Sequence, residues 1–506
     1  LDKSTHLREA ALSNVRARVP FQWLQGFLFG GAVLFAGLFA GCTTHAPPTL
    51  EEIRTQSGTL NNLPLINPWK AGAATGPIAD NWLATFQDEQ LNALVLEAMA
   101  NNMDLRVSAA RVEEAAQYVE MAKAKLRPAV NIFGTGGVNM GGGDALQFLS
   151  LGASWEMDLW GRLRYGRNAY EATHASTKAD FEYGRQSLAA TMAKSWFLAS
   201  ETWLQLQLAQ EMIDSAQELV TLAEKRWQVG SGNEQDVLLA RANLATFQDT
   251  DRQVRLAHEQ TLRALELLLG RYPAAELQAR HDLPALPGEV PAGLPVEMLE
   301  RRPDMIAAER RVAAAFNRVG EAKAARLPSL SINANLAAIK SDILALKPDY
   351  ENPSGGIGAR ILAPLYQGGA LTAQVFLRTA EQKEAVAQYA SIALRALGDV
   401  ENALSAARTL ADREQLLKRI VSDNQRVLEL VQTSYRIGRA DLRAVQQQQL
   451  AVHSAKLALL HVQSEQLTQR ANLHLALGGS FEAERMLPYQ VEEEPDEKKG
   501  EKTEEK

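Results

Sequence analysis

The chain is one unit written twice, and this repetition restricts its architecture more than any single motif. "AKAKLRPAV" (122–130) recurs as "AKAARLPSL" (322–330), so Ala122, Lys123, Ala124 and Pro128 stand opposite Ala322, Lys323, Ala324 and Pro328. Asp104 and Arg111 match Asp304 and Arg311 in the same register. Further on, Gly161, Gly230 and Gly270 match Gly369, Gly438 and Gly478, and "RWQVG" (226–230) faces "SYRIG" (434–438). The register shifts between Pro128 and Gly161, from 200 to 208 residues, so the second copy carries eight extra residues there.

Each copy reads in the same order. A helical stretch (103–127; 303–326) ends at a proline, which cannot continue it. Two short strands follow, then a very long helical pattern (about 162–229; 370–437), a break at a glycine, and a helix back (about 234–269; 440–477). About 68 residues at ~1.5 Å each make a helix of roughly 100 Å, too long for an ordinary globule. Within it Leu206, Ile213, Val220 and Trp227 recur every seventh position, with Ala209, Ala216 and Ala223 between them. That is a coiled-coil seam whose small residues let a neighbouring helix come close.

The strands explain why such a chain is not all helix. From Leu149, the residues Leu149, Leu151, Ala153, Trp155, Met157 and Leu159 alternate with Ser150, Gly152, Ser154, Glu156 and Asp158. Leu330, Ile332, Ala334 and Leu336 alternate with Ser331, Asn333 and Asn335, and Ile357, Ala359, Ile361 and Leu365 share a face opposite Arg360. The weakest strand, from Ala129, leads from Val130 and Ile132 into glycines. Period two over about nine to eleven residues suits a tilted membrane strand, apolar towards lipid and polar towards a wet lumen. A soluble half-buried hairpin has the same pattern, but four such strands in equivalent places of a repeated, exported chain favour the membrane. A four-stranded sheet cannot leave its edges open in lipid, and closed membrane barrels need at least about eight strands. Copies of the chain must therefore pool strands, two copies or more. Glu156, Asp158 and Arg360 are then lumen-facing charges.

The start of the chain carries an address. Arg8, Arg16 and Arg18 precede "FQWLQGFLFGGAVLFAGLFA", which runs into Gly41 and Cys42, the single cysteine. Basic flank, apolar core and small residues are the layout of an export signal. With Ala40 and Gly41 before the cysteine, the junction resembles a bacterial lipobox, departing from its usual leucine only at Phe39. Cys42 is thus the expected lipidation site. Thr43, rather than an aspartate, follows it, which by resemblance to sorted bacterial lipoproteins favours the outer membrane. A plain membrane anchor is the alternative, since about 20 apolar residues can span a bilayer. The expected organisation is a signal peptide (1–41), an extended segment (42–82), a first repeat (83–270) with strands at about 129–139 and 148–159, and a Pro-rich connector (271–295). A second repeat (296–480) has strands at about 329–340 and 356–366, and an acidic disordered tail (481–506) closes the chain.

Other chemistry finds little footing. The formal charge is -7 with no basic patch interleaved with aromatics, which argues against nucleic acid as a partner. One cysteine excludes an intrachain disulfide and CxxC metal or redox sites. The eight histidines include no helical i,i+3 or i,i+4 pair, "GTGGVNMGGG" (134–143) lacks the P-loop lysine, and no Gly-x-Ser-x-Gly elbow occurs. Neither an enzyme nor a cofactor is expected.

The motifs "WEMDLWGR" (155–162), "LERRPDMIAAE" (299–309), "RLPSLS" (326–331), "APLYQGG" (363–369) and "YRIG" (435–438) resemble those of the outer membrane factors. These are the TolC-like and OprM-like channels, particularly the NodT-type efflux lipoproteins, and the resemblance spans roughly 50–480. It implies a TolC-like α/β-barrel, mainly α, in which a homotrimer closes twelve strands into one barrel above a tunnel of twelve helices. It implies a periplasmic adaptor, an inner-membrane pump (of RND type) and outer-membrane lipid as partners, and drugs or other small toxic molecules as cargo. A duct for type I protein secretion is the alternative within the family, and a periplasmic adaptor lipoprotein the alternative outside it. In the family the glycine turns form the periplasmic tip that closes the tunnel and meets the adaptor. Here that assigns Arg226, Trp227, Gly230, Tyr435, Arg436, Gly438 and Asp441. Related channels often place an acid in a constricting ring on the last helix. This chain runs Gln446 to Gln449 there, which leaves Asp441 or Asp236 to supply any such charge.

Overall fold

In a computed structural model, residues 44–63, 65–74, 76–137, 147–340 and 354–482 are described. The expected signal peptide, Cys42, most of both hairpin loops and the tail beyond Glu482 lie outside the described residues. The repeat is visible as matched lengths. α1 (Leu50–Ser57) and α2 (Glu89–Asn101) precede the first copy's α3 (Met103–Ala124), β1 (Ala129–Thr135), β2 (Gln147–Met157), α4 (Arg162–Gln228) and α5 (Glu234–Leu268). The second copy follows α6 (Pro295–Arg301) with α7 (Pro303–Ala324), β3 (Ser329–Lys340), β4 (Ser354–Leu362), α8 (Ala370–Arg436) and α9 (Leu442–Ala476). α3 and α7 each have 22 residues, α4 and α8 each 67, α5 and α9 each 35.

Several boundaries differ from the sequence pattern for local reasons. α3 and α7 stop short of Pro128 and Pro328, and the intervening residues form a turn in which Arg127 N–H donates to Ala124 O at 3.0 Å. The residue before a proline is pushed out of the helical region, so the end is set upstream of the ring. The segment 42–82, expected to be extended, contains α1. Thr49 accepts from Glu52 N–H at 3.3 Å while the Glu52 carboxylate accepts from Thr49 N–H at 2.8 Å, a capping box that nucleates the turn. β2 ends at Met157 rather than at 159, because Asp158 leaves the ladder to cap α4. β4 ends at Leu362 rather than at 366, ahead of Pro364, which has no N–H to give a ladder. β1 ends at Thr135, before Gly136 and Gly137.

The chain divides by internal contacts into two units. Of the described residues, one unit comprises those from Thr44 to Ala46, from 122 to 167 and from 317 to 378, and holds a four-stranded antiparallel sheet in the order β1-β2-β3-β4. Its register places Leu151 between Ile132 and Leu336, Ala153 beside Val130 and Ala334, and Trp155 beside Ile332. Ala334 continues to Ile357 and Leu330 to Ile361, so the apolar residues of all four strands form one face. Among the described residues much of that face is exposed. Ile132 is 72% exposed and Ile357 84%. Ser154, Asn333 and Gly358 follow one another across the opposite face, as do Asn131, Gly152, Asn335 and Gly356.

The other unit comprises the described residues of 47–121, 168–316 and 379–482. Its cores follow the repeat. Trp82, Leu91, Trp196, Phe197 and Leu265 pack together in the first copy, and Met298, Met305, Val312, Tyr389 and Leu477 in the second. The segment before the first repeat completes the second core with Ile53, Leu60 and Trp69. It is held there by Glu401, whose carboxylate accepts the N–H groups of Lys70 and Ala71 at 2.9 and 2.8 Å, while Trp69 Nε1 donates to Ala292 O at 3.1 Å. Along α4 the alanines Ala209, Ala216 and Ala223 are the buried row, and Trp227, at the end of the large-residue row, is 48% exposed. Phe481 is buried and Glu482 pairs with Arg185 at 2.6 Å, so the expected disordered tail does not begin at 481.

Candidate channel wall and helical tip

At one end of the sheet the polar face meets the start of α4. Glu156 lies beside Ser331, and Ser331 beside Arg360, so the three share one cross-strand row. Arg162 Nη2 donates to both Glu156 oxygens, at 2.8 and 2.7 Å. Asp158 lies just past the strand, its carboxylate only 9% exposed. It accepts Leu163 N–H at 3.0 Å, Arg164 N–H at 2.9 Å and Arg164 Nε at 3.1 Å. A carboxylate on the free N–H groups of a helix start satisfies donors that have no partner within the helix, and it suits the positive end of the helix dipole. Asp158 was expected as a lumen charge, but here it starts the longest helix of the first copy.

The two turns at the far ends of α4 and α8 are built alike. Gly230 and Gly438 take φ of +72° and +75°, the left-handed region that glycine enters without a steric penalty. Gly230 N–H donates to Trp227 O at 3.0 Å and Ser231 N–H to Arg226 O at 2.8 Å. Gly438 N–H donates to Tyr435 O at 3.0 Å and Arg439 N–H to Ser434 O at 2.8 Å. This paired pattern closes a helix end. The returning helices are then started by side-chain caps: Asn233 accepts Asp236 N–H at 2.7 Å, and Asp441 accepts Ala444 N–H at 2.8 Å.

Arg226 ties the turns together. It donates to Tyr435 O at 2.8 Å, and its guanidinium carbon lies 4.7 Å from the Tyr435 ring centroid. Tyr435 is buried among Leu219, Val220, Val237 and Leu442, and burial pushes its phenol pKa up, with Asp236 adding to the rise against Arg226. Trp227, Val229, Arg436 and Ile437 remain exposed, an apolar and cationic surface at the turns. The expected tip residues thus divide in two. Arg226, Tyr435 and the glycines build the turns, whereas Trp227 and Arg436 point outward.

Gln446 and Gln449 are buried rather than ranged along an open surface. Gln449 Nε2 donates to Ser215 Oγ at 2.6 Å, and Gln448 Nε2 to Asn424 O at 3.0 Å. α9 is therefore bonded to both long helices through glutamines, and further along through Lys456 to Glu211 at 2.9 Å. The sequence reading missed these partners. A run of glutamines at mixed helical positions signals polar contact on more than one face.

The fold and the turns can be set beside known proteins. The profile described as outer membrane efflux protein matches residues 94–271 and 294–479, once in each copy. The chain belongs to the outer membrane efflux protein family. Among its relatives, the probable efflux pump outer membrane protein TtgC of Pseudomonas putida is 30% identical over 443 residues, covering 83% of this chain and 90% of that one. The cation efflux system protein CusC of Escherichia coli is 29% identical over 414 residues, covering 79% and 88%. The solved outer-membrane channel OprN superposes with a TM-score of 0.75 at 25% identity, over 87% of this chain and 98% of its own. A crystal structure of CusC superposes with a TM-score of 0.74 at 25% identity, over 83% and 98%. This outer membrane efflux protein is an exit duct of the outer membrane, its sheet the membrane part and its long helices the periplasmic part.

Proposed function

We propose that three copies of the chain close a twelve-stranded barrel and pass small toxic molecules outward, receiving them from a periplasmic adaptor and an inner-membrane pump. The observation that carries this reading is the sheet. Among the described residues it has one largely exposed apolar face, one polar face and two unpaired edges, β1 and β4. Such edges persist in lipid only when a neighbour pairs with them. Three sheets of four strands make an even-numbered barrel within the size range of outer-membrane proteins. The relatives are named for efflux of cations, antibiotics and toluene and for export of pyoverdine, which supports small cargo over secreted protein. Native mass spectrometry of detergent-extracted protein tests the assembly. A mass of three chains is expected, and a mass of two would replace the trimer with an eight-stranded dimer.

A further inference from the structure

The polar face of the sheet is almost free of charge. Among the described side chains of the four strands, Glu156 and Arg360 alone are ionisable. They fall in the same cross-strand row, one residue from the end of β2, and the rows beyond it carry Ser, Thr, Asn, Gly, Ala, Phe and Ile. The two are not equivalent. Glu156 is neutralised where it stands, with Arg162 Nη2 on both of its oxygens. The next carboxylate, Asp158, is consumed by two backbone N–H groups and by Arg164. Arg360 is exposed on the polar face and has no ion pair among the described residues.

We propose that Arg360 sets the charge preference of the barrel, favouring small anions over cations at the end where the barrel meets the helices. This rests on the trimeric channel reading, in which each chain contributes one Arg360 to a ring facing the lumen. Rings of cationic side chains are a recurrent device of anion-preferring pores, and lumen substitutions tune selectivity in outer-membrane barrels. The effect is a bias and not a filter. In water the field of each guanidinium decays over a Debye length, about 8 Å at physiological salt, which leaves the axis of a wide pore open to either sign. Carboxylated or otherwise anionic cargo is accordingly the class whose passage the ring assists.

The test is the reversal potential of the full-length protein in planar bilayers under a KCl gradient. Relative to wild type, Arg360→Ala should shift it towards the potassium potential, and Arg360→Glu further still. Arg360→Lys, which keeps the charge, should leave it in place. The shifts should be large near 0.01 M salt, where the Debye length is about 30 Å, and should fade near 1 M, where it is about 3 Å. If Arg360→Ala and Arg360→Glu form conducting trimers that reverse where wild type does at low salt, the inference is overturned. A wild-type trimer that conducts nothing at all would instead overturn the channel reading beneath it, and the inference with it.

Discussion

The guanidinium of Arg226 donates to the backbone carbonyl of Tyr435 at 2.8 Å while lying over that residue's own ring, so one side chain grips the opposite turn twice. The carbonyl it holds also accepts Gly438 N–H. The end of α8, the glycine turn and the end of α4 are therefore one bonded cluster.

Arg226→Ala removes a charged hydrogen bond worth about 1.5–3 kcal/mol. It also removes a cation–ring contact worth about 0.5–1 kcal/mol. Faster hydrogen exchange in both turns is expected with the barrel unaffected, and weaker adaptor crosslinking with it. Tyr435→Phe, which keeps the ring and the carbonyl, should stay near wild type. Gly438→Pro loses the N–H and cannot reach the positive φ, so it should open its own turn more than Arg226→Ala does. Unchanged exchange in Arg226→Ala would show that the turns stand without the link.

The two sheet faces should respond differently to charge. Arg at Leu151 or Ile332 places a guanidinium on the uncovered apolar face and should cost up to about 2–4 kcal/mol near the bilayer midplane, lowering trimer yield. Arg at Ser150 or Asn333, on the polar face, should be mild. Equal yields from both pairs would identify the sheet as a soluble hairpin pair.

The strands and long helices were legible because each is a long run of one period, and the second copy repeated the signal of the first. β3 runs from Ser329 to Lys340, where the alternation alone placed it. Shorter-range chemistry was harder to read. Asp158 continues the alternation of β2 and looks like one more strand residue. Only its partners, the N–H groups of Leu163 and Arg164, reveal a helix cap. The signal for α1, a threonine three residues before a glutamate, is confined to Thr49 and Glu52 and stands beside Pro47 and Pro48, so the pattern of the segment as a whole reads as extended. Bonds such as Arg226 to Tyr435 join residues 209 apart in sequence, and no local pattern announces them.

Cys42 lies outside the described residues, and its lipidation is expected from the Ala40-Gly41-Cys42 junction of the sequence. His45 N–H donates to the Tyr165 hydroxyl at 2.9 Å, and the Thr44 methyl lies against Gly161, both at the sheet end of α4. Cys42→Ala should abolish incorporation of radiolabelled palmitate while leaving a trimer in the outer membrane. A variant that still takes up label would place the lipid elsewhere.

His474 gives the fold an acid limit. The ring is buried, stacked on Trp82 with centroids 5.7 Å apart, and neither nitrogen has a partner among the described residues. Burial, with Arg470 adding to it, lowers its pKa to about 4. An unfolded chain binds a proton near pH 6.5, whereas the folded chain resists it until about 4. The stabilisation is thus complete above pH 6.5 and is lost as pH falls towards 4. The whole loss is on the order of 3 kcal/mol, by linkage across that interval. His474→Phe keeps an aromatic ring against Trp82 and has no proton to bind. Its melting temperature should therefore fall less than that of wild type between pH 6.5 and 4. Some slope should survive, because burial also lowers the pKa values of His258 and His453. If the two melting curves fall in parallel across that interval, the acid sensitivity belongs to other groups.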